Sequence, residues 1–93
     1  YDLKKLIMRY FESREQVTTE GAFITYAYGY YSFEIDGGEV LAFDEIEKGV
    51  LEKYDLKSDQ FNGQKFEIFY SIIIDDMDDE DFVILRLDDL KIK

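Results

Sequence analysis

The sequence predicts an α+β fold: one antiparallel four-stranded sheet with two helices on one face, in the order αββαββ. Three observations predict it. A stripe of apolar residues with helical period opens the chain. Runs of β-branched and aromatic residues bounded by turn signals follow it, and a second helical stripe interrupts those runs. The chain has 93 residues and no Pro, and no linker-like stretch divides it. It reads as a single domain, residues 1–93.

Leu3, Leu6, Ile7, Tyr10 and Phe11 recur at i, i+3, i+4, i+7 and i+8, which predicts an amphipathic helix over 2–14. Residues 22–35 are almost all β-formers, including Phe23, Ile24, Thr25, Tyr26, Tyr28, Tyr30, Tyr31, Phe33 and Ile35, and predict one long strand. Asp36-Gly37-Gly38-Glu39 is a tight-turn signal, and residues 40–43 are the returning strand. Asp44 with Glu47 three residues later reads as a capping box that opens the second helix. Ile46, Val50, Leu51 and Tyr54 form its inward face, while Gly49 weakens it. After the Asn62-Gly63 turn, residues 65–74 are the strongest strand, with Phe66, Ile68, Tyr70, Ile72 and Ile74 on one face. An acidic loop over 75–81 leads to its hairpin partner, 82–87. The expected core is Leu3, Leu6, Ile7, Phe11, Ile68, Tyr70, Ile72, Ile84 and Leu85. Tyr-Asp-Leu-Lys occurs at both 1–4 and 54–57, a match short enough for chance to explain.

The chemistry is bounded by what the chain lacks. It holds 22 Asp+Glu against 11 Lys+Arg, a net charge of −11, and no His or Cys. Zinc, haem and iron–sulfur sites lose their ligands, and nucleophile–His triads lose their base. No cofactor is expected. An acidic surface repels phosphate, so direct nucleic-acid binding and docking on anionic membranes are disfavoured. The densest apolar run, residues 68–74, falls far short of the ~20 residues of a membrane span, and no signal peptide is expected. Aromatic residues, 8 Tyr and 8 Phe, separate the chain from disordered acidic segments and supply its packing. There is no Gly-rich phosphate loop, and a chain of this length leaves little room for a substrate cleft beside a core. We expect no enzyme.

Three features carry the functional reading. The first is Asp75, Asp76, Asp78, Asp79, Glu80 and Asp81, interrupted only by Met77. As a solvated loop these acids keep the neighbouring Ile72-Ile73-Ile74 soluble. As a calcium loop they fail, because Asp81 stands where Gly is needed and Leu87 where a bidentate Glu belongs, so no metal site is assigned. As a carboxylate array they imitate phosphates. The second is charge asymmetry. Residues 1–43 carry a net −3 and residues 44–93 a net −8, with Glu45 and Glu52 of the second helix adding to the acidic face. The third is Tyr26, Tyr28 and Tyr30, which alternate along the strand over 22–35 and form a tyrosine row on its open face, where Tyr is a favoured contact residue.

In composition the chain resembles small acidic α+β proteins of bacteriophages and mobile elements: anti-restriction and anti-CRISPR inhibitors, and inhibitors of uracil-DNA glycosylase. Such proteins occupy the basic nucleic-acid channel of their target. The resemblance is compositional and carries no residue-level site. It implies a non-enzymatic, protein-binding DNA mimic in the cytoplasm of a bacterial cell, with a basic nucleic-acid-binding protein, a nuclease or CRISPR effector, as partner. The alternative is an immunity or antitoxin protein that neutralises a basic nuclease toxin. Both oppose carboxylates to Lys and Arg, and composition does not separate them. Oligomeric state is left open.

Overall fold

The computed structural model of the chain describes residues 12–77 and 80–93. Over these residues the protein is mostly β. Six strands form one sheet: β1 (Glu12–Ala27), β2 (Tyr30–Ile35), β3 (Val40–Phe43), β4 (Glu45–Ile46), β5 (Lys65–Met77) and β6 (Glu80–Ile92). Their order across the sheet is β3-β2-β1-β5-β6-β4. Every pairing is antiparallel except the short parallel contact of β4 with β6. The described residues contain one helix, α1 (Lys48–Lys53), and two 3-10 turns, Asp36–Gly38 and Asp59–Phe61. The expected four-stranded sheet with two helices is therefore corrected to a six-stranded sheet with one short helix.

Each departure has a local cause. Residues 2–11 of the first expected helix lie outside the described residues, but Glu12 to Arg14 are strand. The next residues, up to Glu20, contain a single aliphatic side chain, Val17, so no alternation announces them. They are strand because they pair with β5 from Ser13↔Ile74 to Glu20↔Glu67. The expected strand over 22–35 is a hairpin. It folds at Tyr28-Gly29, both with positive φ (55° and 81°), the backbone of a two-residue hairpin turn. Tyr is an unusual occupant of that conformation, which favours Gly, Asn and Asp.

The second helix is shorter than its capping box promised. Glu47 is extended (ψ 132°) and makes no side-chain cap. Its N–H donates to the Leu87 carbonyl at 2.8 Å and its carboxylate accepts from Arg86 Nη2 at 2.5 Å, so the segment is drawn into the sheet edge as β4. The turn at 36–39 and the strand Val40–Phe43 match expectation; Val50 and Leu51 of the helix face the core as expected, while Ile46 packs on it from β4 and Tyr54 from just beyond α1.

The sheet curls around an aromatic core. Phe33 on β2 is fully buried, with ring centroids 5.2 Å from Phe23, 5.9 Å from Phe43 and 6.2 Å from Phe66. Phe43 on edge strand β3 also lies 5.4 Å from Tyr70 on β5. Two strands separate β3 from β5 in the ladder, so this contact requires the sheet to bend back on itself. The bend has two devices. A bulge falls between Phe23 and Thr25, and Gly21 sits where an added Cβ would lie 2.5 Å from the Glu34 carbonyl oxygen. Only glycine fits there. Leu56, Val50, Ile68, Leu87 and Leu90 complete the core. Of the expected core, Ile68 and Tyr70 are buried, Ile72, Ile84 and Leu85 are half-buried, and Leu3, Leu6, Ile7 and Phe11 lie outside the described residues.

Candidate functional site: an acidic strand arm

The acids expected in a loop are instead largely in strands. Asp75 and Asp76 belong to β5, and Glu80 and Asp81 to β6; Asp78 and Asp79 lie outside the described residues. Asp and Glu are depleted in strands, which is why the segment reads as a loop. The ladder nevertheless continues through Asp76↔Asp81 and Met77↔Glu80, and on the other side of β5 Glu12 stands opposite Asp75. The result is an arm of three strands: the N-terminal half of β1, with β5 and β6, running away from the aromatic core. The molecule is accordingly elongated, 55 × 28 × 24 Å.

Like charges directly opposite one another in a ladder are destabilising, by about 0.2–1 kcal/mol relative to neutral pairs. The arm has two such pairs, Glu12↔Asp75 and Asp76↔Asp81, and the sequence from Asp75 to Leu85 contains no Lys or Arg. Nearer the core, like-charge pairs are compensated. Glu20 is opposite Glu67, but Lys93 donates to Glu20 and Lys91 stands opposite Glu67. The hydrogen bond from Lys93 to Glu20 holds the Lys93 ammonium above its ordinary pKa. Lys53 Nζ donates to Asp89 Oδ1 at 2.5 Å, and that bond holds the Asp89 carboxyl below its ordinary value. At the β6 bulge, Asp88 accepts from the buried Ser71 hydroxyl at 2.5 Å. Arg86 lies 3.6 Å from Asp88 and also binds Glu47. Fixed bases therefore serve Glu20, Glu47, Asp88 and Asp89 at the core end.

Glu45 and Glu52 are exposed on β4 and α1, beside the core-proximal half of β6, and do not join the tip acids. The tyrosines are further away. The bulge at residues 23–25 resets the alternation, so Tyr26 is half-buried opposite Tyr31, their rings 4.6 Å apart. The Lys57 ammonium lies 5.4 Å from the centre of the Tyr26 ring. Burial, with Tyr26 beside it, raises the Tyr31 pKa. Tyr28 occupies the turn and is 98% exposed, and Tyr30 is opposite Ala27 on the other face. The expected row on one open face is thus dispersed. Tyr28 and the acidic tip lie beyond opposite ends of the 16-residue β1, a span of at most about 50 Å at strand rise.

Sequence reasoning missed Glu12, for which no local signal exists, and an open cavity of about 340 Å³ at the Gly21 bend. Glu34, Ala22 and Lys65 line it in one register row across three strands. Its charges are mixed, and the Glu20–Lys93 pair occupies one wall. No group of metal-ligating side chains occurs among the described residues, and no helix among them is long and apolar enough to cross a membrane. Comparison with protein-family models, curated proteins and solved structures finds no match.

Proposed function

We propose that the protein is a non-enzymatic inhibitor that binds a nucleic-acid-processing enzyme through its acidic arm, occupying the basic channel in which the enzyme would hold DNA or RNA. The reading is supported chiefly by the two like-charge register pairs at the arm's end, Glu12↔Asp75 and Asp76↔Asp81, beside a sequence stretch, 75–85, that contains no Lys or Arg. Such pairs weaken the free protein, and Lys and Arg side chains of a partner relieve them. Strand geometry adds a second support. Neighbouring strands lie about 4.8 Å apart, so the register sets Glu12 beside Asp75 and Asp76 beside Asp81 at a spacing of the order of that between phosphates. Concentrated negative charge attracts a basic channel at long range and raises the association rate.

The test is capture from a nuclease-treated bacterial lysate on immobilised protein. The expected result is a basic nucleic-acid enzyme that is retained at low salt, displaced by added DNA, and lost when Asp75, Asp76, Asp78 and Asp79 are changed to Asn. Retention that is indifferent to DNA and to the four substitutions refutes the reading.

A further inference from the structure

Strand β6 has an inner and an outer edge. The inner edge is paired with β5 from Glu80 to Ile92. Among the described residues the outer edge is paired only at Arg86 and Leu87, by the two residues of β4. The Leu87 carbonyl accepts from the Glu47 N–H at 2.8 Å, so Leu87 turns its peptide groups outward. In an antiparallel ladder the N–H and C=O of a residue point the same way, and alternate residues repeat that direction. The Glu45↔Arg86 pairing takes the outward C=O of Leu85 onto the Glu45 N–H, so the open edge begins at the Leu85 N–H and continues with the N–H and C=O of Val83.

Natural sheets blunt such edges with Lys, Pro, a bulge or a covering element. The core-proximal half of β6 has two of these devices, the bulge at Asp88 and the cover of β4. Residues 82–85 contain no charged residue and no Pro, and the register of β6 with β5 is unbroken from Tyr70 to Met77. The edge is also apolar. Val83 is 64% exposed, and Ile74, opposite it on β5, is 38% exposed. Ile72 and Leu85, the next pair on that face, are half-buried.

We infer that the outer edge of β6 at Val83 and Leu85 is a strand-addition site, and that its occupant is an extended segment of the partner protein in which apolar residues alternate with Lys or Arg. The inference rests on the reading of the arm as a partner-binding element and gives that partner its chemistry. The segment's backbone extends the sheet by one strand. Its apolar side chains stand beside Val83 and Leu85, and its cations meet a stretch with six acids and no base from Asp75 to Leu85. A second copy of this chain is the wrong occupant, because it brings another six acids to the same place. Charge complementarity selects a basic strand.

The test uses the full chain and three synthetic ten-residue peptides of equal charge. One alternates Lys and Val, the second is the same peptide N-methylated at alternate residues to remove the donors of one edge, and the third alternates Lys and Gly. The Lys–Val peptide is expected to bind about tenfold more tightly than the N-methylated one, the value of one or two lost hydrogen bonds, and to slow hydrogen exchange at the Val83 and Leu85 amides. Val83→Pro, which removes an outward N–H and no bond to β5, is expected to abolish that preference. Val83→Lys, which keeps that N–H but removes an apolar contact and adds a cation, is expected to weaken binding of the Lys–Val peptide while leaving its preference over the N-methylated peptide in place. Equal binding of all three peptides, unaffected by either substitution, overturns strand addition and leaves the acidic arm as a purely electrostatic element. No binding of any peptide at low salt overturns both readings.

Discussion

Replacing Phe33 by Ala tests the curled sheet on which the arm is mounted. Phe33 is fully buried on β2 and its ring meets Phe23, Phe43 and Phe66 from three strands. Truncating a buried Phe to Ala removes about 3–5 kcal/mol. Three aromatic neighbours, each contributing about 0.5–1.5 kcal/mol beyond area burial, place this site at the upper end. A domain of this size has a total stability of roughly 5–14 kcal/mol, so one substitution removes a third or more of it. The chain has no Trp, so urea unfolding is followed by tyrosine fluorescence and far-UV circular dichroism. With a urea slope of about 1–2 kcal/mol/M, the midpoint is expected to fall by about 2 M or more. Phe33→Leu, which keeps most of the volume, is expected to lose markedly less. A loss below about 1 kcal/mol for Phe33→Ala would mean that Phe33 is not enclosed, and the bend that brings β3 over β5 would then be wrong.

Four further outcomes follow from the same geometry. Gly21→Ala places a Cβ against the Glu34 carbonyl, and thermal unfolding is expected to report a loss of about 1–3 kcal/mol, the range of overpacked sites. Tyr28→Asn puts a residue suited to positive φ in the exposed turn and is expected to stabilise by up to about 1 kcal/mol. At neutral pH added salt is expected to raise the melting temperature, and changing Asp75, Asp76, Asp78 and Asp79 to Asn to raise it and flatten its salt dependence. Asp89 is held below its ordinary pKa by Lys53, so its contribution is present at neutral pH and lost as pH falls below about 4. Lys93 is held above its ordinary value by Glu20, so its contribution persists at neutral pH and disappears only above about pH 10.5. Asp89→Asn is expected to flatten the acid limb of the stability curve and leave the alkaline limb unchanged.

What the sequence disclosed depended on whether a residue's role is written in its neighbours. The strands at 40–43 and 65–74, the turn at Asp36–Gly38 and the inward face of α1 all follow from local periodicity or glycine, and all were legible. The polar stretch from Glu12 to Glu20 was not, because it is strand only through its register with β5. Asp75, Asp76, Glu80 and Asp81 mimic a loop in composition, yet the apolar ladder behind them carries the pairing outward. The tyrosines show the sharpest failure of period counting. A single bulged residue between Phe23 and Thr25 turns Tyr26 inward, and a Tyr-Gly turn takes Tyr28 out of the strand altogether. The acids stand out in the sequence, but their like-charge register pairs exist only in the fold.

In the proposed function the acidic arm engages a basic partner in place of nucleic acid. Stopped-flow association with the captured enzyme, over a series of salt concentrations and with competing DNA, tests it most directly. The expected result is an association rate that falls steeply with salt and is blocked by DNA. With Asp75, Asp76, Asp78 and Asp79 changed to Asn, the rate is expected to be several-fold lower and nearly salt-independent. An unchanged rate for the fourfold variant, with no competition from DNA, would contradict the claim and reduce the acids to a device for keeping the β5–β6 strands soluble.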